Sequence, residues 1–325
     1  MHLDSVDRSL LNLIQAGFPL TREPFADLGQ RLGIGVGEII RRIEQLKERE
    51  IIRLIGPVLD SRSLSYRTTL VAMKVAEAGL EKAEQVIAMH PGVSHGYERE
   101  HQFNAWFTMA LPPASDIKAE LEQLTRSTGA EAAFSLPAIK VFKIGAYFDM
   151  DENGQNVSPA HRNSVLTKQV ELSRADRLII NELQQDLPLV RASFTAMAER
   201  AGMDVEQFLA GCRSLQQRGV IRRFSASINH KNAGFTANAM SCWTAPAEKI
   251  DAAGQKLASP KEVSHCYERE TNQFWHYNLF AMIHGRSREV CREIADKISR
   301  ETGLTDYALL YSTKEFKKTR VKYLV

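Results

Sequence analysis

The chain repeats itself once. Asp7-Arg8 recurs as Asp176-Arg177, Gly33 as Gly202, Ile52-Arg53 as Ile221-Arg222 and Pro91 as Pro260, each 169 positions on. Ser94-His95-Gly96-Tyr97-Glu98-Arg99-Glu100 returns as Ser264-His265-Cys266-Tyr267-Glu268-Arg269-Glu270 at a shift of 170, and Arg126 to Gly129 return as Arg300 to Gly303 at 174. The added residues enter around Thr271 to Tyr277, just after the shared motif. Solenoid repeats run roughly 20 to 50 residues, so a period this long means a duplicated pair of domains.

Each copy opens with three apolar stripes at helical spacing. In the first copy they are Val6, Leu10, Leu13 and Ile14; then Phe25, Leu28 and Leu32; then Val36, Ile39, Ile40, Ile43 and Leu46. The second copy answers with Ala175, Ile179 and Leu183; Phe194, Met197 and Ala201; and Val205, Phe208, Leu209, Cys212 and Leu215. Gly33 and Gly202 fall in the turn before the third helix, and a short strand follows at Ile51-Ile52 or Val220-Ile221, a winged helix-turn-helix pattern. Thr68 to Ala76 then reads as a strand, Leu80 to Met89 as a helix, Val93 to Arg99 and Phe103 to Leu111 as a hairpin, and Ser115 to Ser127 as a helix, with apolar segments to Ile144 completing a sheet. That order, βαββαβ, is ferredoxin-like. The expected fold is α+β: helix-turn-helix at 1–55, ferredoxin-like domain at 56–150, linker at 151–170, second helix-turn-helix at 171–224 and second ferredoxin-like domain at 225–325.

Composition narrows the class. Hydrophobic residues at 44% and charged residues at 25% allow ordinary cores, and no apolar run is long enough to cross a bilayer. The first residues carry Asp4 and Asp7 ahead of any apolar run, unlike a secretory leader, and Cys212, Cys242, Cys266 and Cys291 have no metal-like or redox-like spacing. A cytoplasmic protein with reduced thiols and no membrane partner is expected. The net charge of +3 is too mild to imply a nucleic-acid partner. In the third helix Arg41, Arg42, Lys47 and Arg49 are balanced by Glu38, Glu44, Glu48 and Glu50, a poor phosphate reader. Gly33, Gly35 and Gly37 lie between helices without the strand and Gly-Lys pair that a phosphate loop needs.

The repeated motif carries the chemistry. His95, Tyr97 and Arg99 alternate along a predicted strand, so they share one face, as do His265, Tyr267 and Arg269. The same alternation places His276, Asn278, Phe280, Met282 and His284 on one face of the next strand, with Asn104 and Trp106 as the first-copy partners of Asn278 and Phe280. His101 sits at the hairpin tip, where the second copy has Thr271. An imidazole, a phenol and a guanidinium on one sheet face suit proton transfer and carboxylate binding.

A winged helix-turn-helix followed by a ferredoxin-like domain resembles the Lrp/AsnC regulators. The doubled S-H-x-Y-E-R-E motif, with Phe103-Asn104-Ala105-Trp106-Phe107-Thr108 after one copy and Trp275 to Gly285 after the other, resembles the siroheme decarboxylases of alternative haem and d1-type haem synthesis. The tandem form is similar to a fusion of that enzyme's two related subunits. The resemblance implies removal of acetate carboxyls from siroheme to give didecarboxysiroheme, as a carboxy-lyase that needs no added cofactor, the iron belonging to the substrate. It implies catalytic roles for His95, His101, His265 and His276, as proton donors or as an axial ligand to the siroheme iron. It implies substrate contacts from Arg99, Arg269, Tyr97, Tyr267, Trp106, Asn104, Asn278, His284, Arg53 and Arg222. Related decarboxylase subunits are possible partners, and the two halves are expected to pack their sheets together as an intrachain pseudo-dimer. The first half is expected to be the more active, since His95 and His101 flank its hairpin. The alternative is a ligand-responsive regulator of the Lrp/AsnC type.

Overall fold

In the computed structural model the described residues are 3–145, 150, 170–229 and 236–324. The linker expected at 151–170 falls almost wholly outside them.

Three helices open each half. Helix α1 (Ser5–Ala16) is capped by Asp4, whose side chain accepts from the Asp7 amide at 2.7 Å. Helix α2 (Pro24–Leu32) starts on a proline and stops at Gly33, whose φ of 69° lies in the left-handed region that favours glycine. Helix α3 (Val36–Glu48) follows, then strand β1 (Ile52–Leu59). The second half repeats this. Helix α6 (Arg174–Leu183) has a capping box from Ser173 and Asp176, and α7 (Ser193–Arg200), α8 (Val205–Gln217) and strand β6 (Ile221–Ile228) come after it. Strands β1 and β6 pair with each other, antiparallel, and both run past the expected boundaries at 55 and 224. The two helix-turn-helix units therefore share one core, in which Leu10, Ile14, Phe25 and Ile43 pack with Ile179, Phe194, Phe208 and Phe224. Burial of large side chains from both halves gives roughly 1.5–3 kcal/mol apiece, so the units are held as one body.

The ferredoxin-like halves run β2 (Arg67–Lys74), α4 (Leu80–Met89), β3 (Val93–Arg99), β4 (Ala105–Leu111), α5 (Ile117–Thr128), β5 (Ala132–Ile144), and then β7 (Ala237–Trp243), α9 (Ile250–Ala258), β8 (Val263–Arg269), β9 (Leu279–Gly285), α10 (Arg288–Thr302), β10 (Tyr307–Lys318). Their sheets do more than face each other. Strand β5 pairs with β2 over Ala132–Pro137 and then crosses to pair with β8 over Ala138–Ile144. Strand β10 pairs with β7 over Tyr307–Tyr311 and then with β3 over Ser312–Lys318. The result is a closed barrel in the order β10-β3-β4-β2-β5-β8-β9-β7. That cyclic order repeats after four strands, so the halves are related by an approximate twofold along the barrel axis. Equivalent residues lie at the same end on opposite walls. Outward-facing residues pack under the helices, and inward ones form a separate core from Ala72, Phe103, Trp106, Phe134, Met240, Trp275 and Phe280. The wing sheet of β1 and β6 lies against one mouth, where Arg320 donates to the Pro57 carbonyl at 2.7 Å.

Candidate functional site at the barrel mouth

The motif strands β3 and β8 stand opposite each other in the barrel order, and their histidines come to the same mouth. Each histidine is packed round by protein while keeping part of its residue surface open. Burial drives His95 down to about 4, with Lys318 and Arg53 pushing the same way and Glu315 opposing. Burial drives His265 to about 3, and His95 itself contributes next, ahead of Lys318, Arg223 and Arg269. Without an anion both rings are therefore neutral near neutral pH.

The two settings differ. His95 Nδ1 lies 2.9 Å from Ser94 Oγ. Lys318 and Glu315 on β10 stand across from His95 and Tyr97. Arg53 reaches Glu315 at 2.7 Å and Lys318 approaches it at 3.5 Å. Burial and then Glu315, which hydrogen-bonds Tyr97, raise the Tyr97 phenol well above its ordinary range. In the other half His265 Nδ1 is 2.8 Å from Ser264 Oγ, which is also 2.8 Å from His284 Nε2. Ile144 and Val141 on β5 hold the positions of Lys318 and Glu315, opposite His265 and Tyr267. Tyr267 too is raised by burial.

Below the tyrosines lie two buried guanidiniums. Arg99 is 4% exposed and Arg269 9%. Each leans on its own motif tyrosine, at 5.2 and 4.6 Å from the ring centroid, and donates across to the other half, Arg99 to the Leu310 carbonyl at 2.9 Å and Arg269 to the Leu136 carbonyl at 2.8 Å. Burial lowers both to about 10, so both stay charged. Among the described residues no carboxylate pairs with either, and both Nε atoms lack a hydrogen-bond partner. Burial alone lowers Arg223, on β6, and no carboxylate pairs with it among the described residues. A buried cation without a counter-charge is costly. The mouth is therefore built to receive anions.

Other residues expected at the site lie elsewhere. His101 sits at the opposite end, where its ring packs edge-on against Trp275 at 5.3 Å and its Nδ1 accepts from the Phe103 amide. His276 is exposed and 3.2 Å from Asp306. It precedes β9, which begins only at Leu279, so the alternation extended back to it does not hold. Trp106 is 1% exposed in the barrel core, with Nε1 donating to the Phe103 carbonyl. Asn104 and Asn278 each clamp both backbone groups of a residue just past a strand, Val75 and Ala245 respectively, so both side chains brace the backbone there. Arg222, by contrast, is held by buried Asp60 much as its counterpart Arg53 is held by Glu315, and it stands close enough to Tyr267 for its charge to act on that phenol. Hence His95, His265, Tyr97, Tyr267, Arg99, Arg269, Arg53, Arg222 and His284 form the neighbourhood. Glu315, Lys318 and Arg223 join it. The signal for the first two was available: at the shift of 174 they align with Val141 and Ile144, an acid and a base replaced by two apolar residues.

Known proteins resemble this chain over nearly its full length. Residues 7–53 and 176–222 match the siroheme decarboxylase NirDL-like HTH domain, and residues 63–143 and 232–317 match the AsnC-like ligand binding domain. The siroheme decarboxylase of Hydrogenobacter thermophilus is 42% identical over 97% of this chain and 93% of its own length. The siroheme decarboxylase alpha subunit of Desulfovibrio desulfuricans is 42% identical over 46% of this chain and 87% of its own. A crystal structure of the siroheme decarboxylase NirDL in complex with an iron-uroporphyrin III analogue matches with a TM-score of 0.73 at 37% identity, covering 98% of this chain and 94% of that one. The chain belongs to the siroheme decarboxylase family.

Proposed function

We propose that this chain decarboxylates siroheme at the mouth that His95 and His265 share, and that the two halves build that mouth jointly. The observation that carries this reading is the set of cations with no counter-ion among the described residues, Arg99, Arg269 and Arg223, around two neutral histidines. Siroheme brings acetate and propionate carboxylates, which guanidinium forks bind well.

The reaction consumes one proton per carboxyl. The bond between the ring-attached methylene and the carboxyl carbon breaks, carbon dioxide leaves, and the electron pair remaining on the methylene is protonated to a methyl group. No oxidant or reductant enters the balance, so no redox cofactor is required. The substrate also prepares its own acid. In the free protein burial and neighbouring cations keep His95 and His265 deprotonated. Incoming carboxylates reverse the sign of that field and raise both groups toward the range where imidazolium forms. Tyr97 and Tyr267, with raised phenols, remain neutral donors to the carboxylates or the ring edge.

The helix-turn-helix units serve as the scaffold against this mouth and do not read DNA. Arg41 and Arg42 are bound to Glu38, Asp4 and Asp7, Lys47 to Asp186, and Arg22 to Glu206 of the other unit. A footprint on its own promoter that weakened steeply with salt would contradict this. Half-length relatives are named as alpha and beta subunits, which supports reading the tandem chain as both partners in one. The deciding assay is anaerobic incubation of the purified chain with siroheme, read by mass spectrometry.

A further inference from the structure

Two arginines at the mouth have no basic counterpart in the other half. Arg223 lies near the start of β6, and Arg320 follows the end of β10. At the shift of 169 the position of Arg223 falls on Leu54, and at 174 that of Arg320 falls on Ala146. We propose that Arg223 and Arg320 form a one-sided cradle for a propionate carboxylate of siroheme, and that this cradle decides which way round the macrocycle sits. The inference rests on the reading of the mouth as the decarboxylation site.

The pair is placed for this. The β1–β6 ladder slips between Arg223 and Ile221, so consecutive arginines both address the barrel: Arg222 acts on Tyr267 and Arg223 on His265. The Arg223 guanidinium lies beside Gly145, where an added Cβ would stand 3.6 Å from Nη1. The Arg320 Nη1 donates to the Pro57 carbonyl at 2.7 Å and lies 2.8 Å from where a Cβ on Gly56 would be. Arg320 is packed round by protein and still keeps surface open to solvent. Burial, and then the charge of Arg223, hold it down to about 10, with Asp186 opposing from its own pair with Lys47. Both guanidiniums stay charged and repel each other, and among the described residues neither pairs with a carboxylate. An arriving anion relieves that repulsion.

The chemistry selects which carboxylate. As carbon dioxide forms, the departing carboxylate gives up its charge to the macrocycle, so a cation paired with it favours the ground state over the transition state. Two guanidiniums therefore suit a carboxylate that stays, and the propionates stay. The approximate twofold of the barrel makes each pose of the macrocycle nearly equivalent to a second, turned by half a circle. Siroheme has no twofold in its own substituents, so the two poses offer different acetates to His265. Arg223 acts on His265, whereas the cations acting on His95 are Lys318 and Arg53, and the cradle thus separates the poses. Glu315 also marks one wall, but Arg53 and Lys318 already engage its charge.

The experiment uses the full chain with siroheme under anaerobic conditions. Reactions are quenched early, and NMR of the monodecarboxylated species locates the acetate that was lost. Wild type is expected to give one isomer in large excess. Arg320→Met and Arg223→Leu are expected to lower that excess by about tenfold, the value of one charged hydrogen bond. Gly56→Ala, which displaces the Arg320 guanidinium without removing its charge, is expected to lower it less. Arg223→Leu/Leu54→Arg moves the cation to the opposite wall and is expected to favour the other isomer. An isomer ratio unchanged in these proteins, even with weaker binding, would overturn the cradle and leave the order of loss to the acetates themselves. If wild type leaves siroheme untouched, the reading of the site fails, and the proton spectrum of bound ferric siroheme decides the cradle independently. One set of paramagnetically shifted resonances in wild type and two in Arg320→Met would support it; two sets in wild type would overturn it.

Discussion

Val141 and Glu315 hold the same register in the two halves of the barrel, each across from its motif tyrosine, Tyr267 and Tyr97. One wall of the mouth thus presents an acid already engaged with Arg53 and Lys318, and the other presents an apolar side chain. Glu315 competes with any substrate carboxylate for those cations. Glu315→Gln is expected to tighten siroheme binding several-fold, since each charged hydrogen bond released to the substrate is worth roughly 1.5–3 kcal/mol before losses to screening. Val141→Glu is expected to weaken it. Titration of the visible band measures both, and weaker binding by Glu315→Gln would mean that the acid positions Arg53 for the substrate.

The histidines are expected to contribute unequally. The expectation that the first half leads rested on His95 and His101 together, and the barrel carries His101 to its far end. With Ser264 and His284 hydrogen-bonded behind His265, His265→Ala is expected to cost more turnover than His95→Ala, both on the order of 100-fold or more. Equal losses with unchanged circular dichroism and unchanged binding would make the asymmetry structural only.

Acidification tests the burial of the pair. The folded values, about 4 for His95 and about 3 for His265, lie below the ordinary 6.5. Their contribution to stability is thus present above pH 6.5 and is lost as pH falls toward the folded values, because the unfolded chain binds the protons first. The His95→Gln/His265→Gln protein is expected to lose less stability than wild type between pH 6.5 and 4 in urea titrations. Parallel losses would show that neither histidine is held neutral by the fold.

The same values imply proton uptake on binding siroheme, since substrate carboxylates raise both groups. Affinity should strengthen as pH falls through the bound-state values. Calorimetry in two buffers of different ionisation enthalpy reads the uptake directly. Equal heats in both would contradict substrate-loaded histidines.

Arg99 and Arg269 separate function from stability. Replacing a buried cation that lacks a counter-ion by an apolar side chain of similar length is often neutral or stabilising. Arg99→Met is expected to keep or raise the Tm and to weaken siroheme binding by about tenfold or more, the value of a lost charged hydrogen bond. A lower Tm with unchanged affinity would assign Arg99 to bracing the Leu310 carbonyl alone.

Much of this was legible in the chain. The apolar stripes placed all six opening helices, and alternation along Ser94 to Arg99 put His95, Tyr97 and Arg99 on one face, because helical and strand periods are local properties. The meeting of His95 with His265 was not legible. It depends on β5 and β10 crossing between halves, a pairing between distant segments that local pattern does not encode. The same limit misplaced Asn104, Asn278 and Trp106: polar and aromatic side chains next to a motif look alike in sequence whether they bind a ligand, clamp a turn or fill a core. His276 was drawn onto β9 by extending an alternation past the point where the strand begins.

Mass spectrometry of the isolated chain with siroheme under anaerobic conditions, with no cofactor added, tests the central claim most directly. The account predicts a product lighter than siroheme by two molecules of carbon dioxide. Siroheme recovered unchanged, with related decarboxylase subunits also supplied, would contradict it.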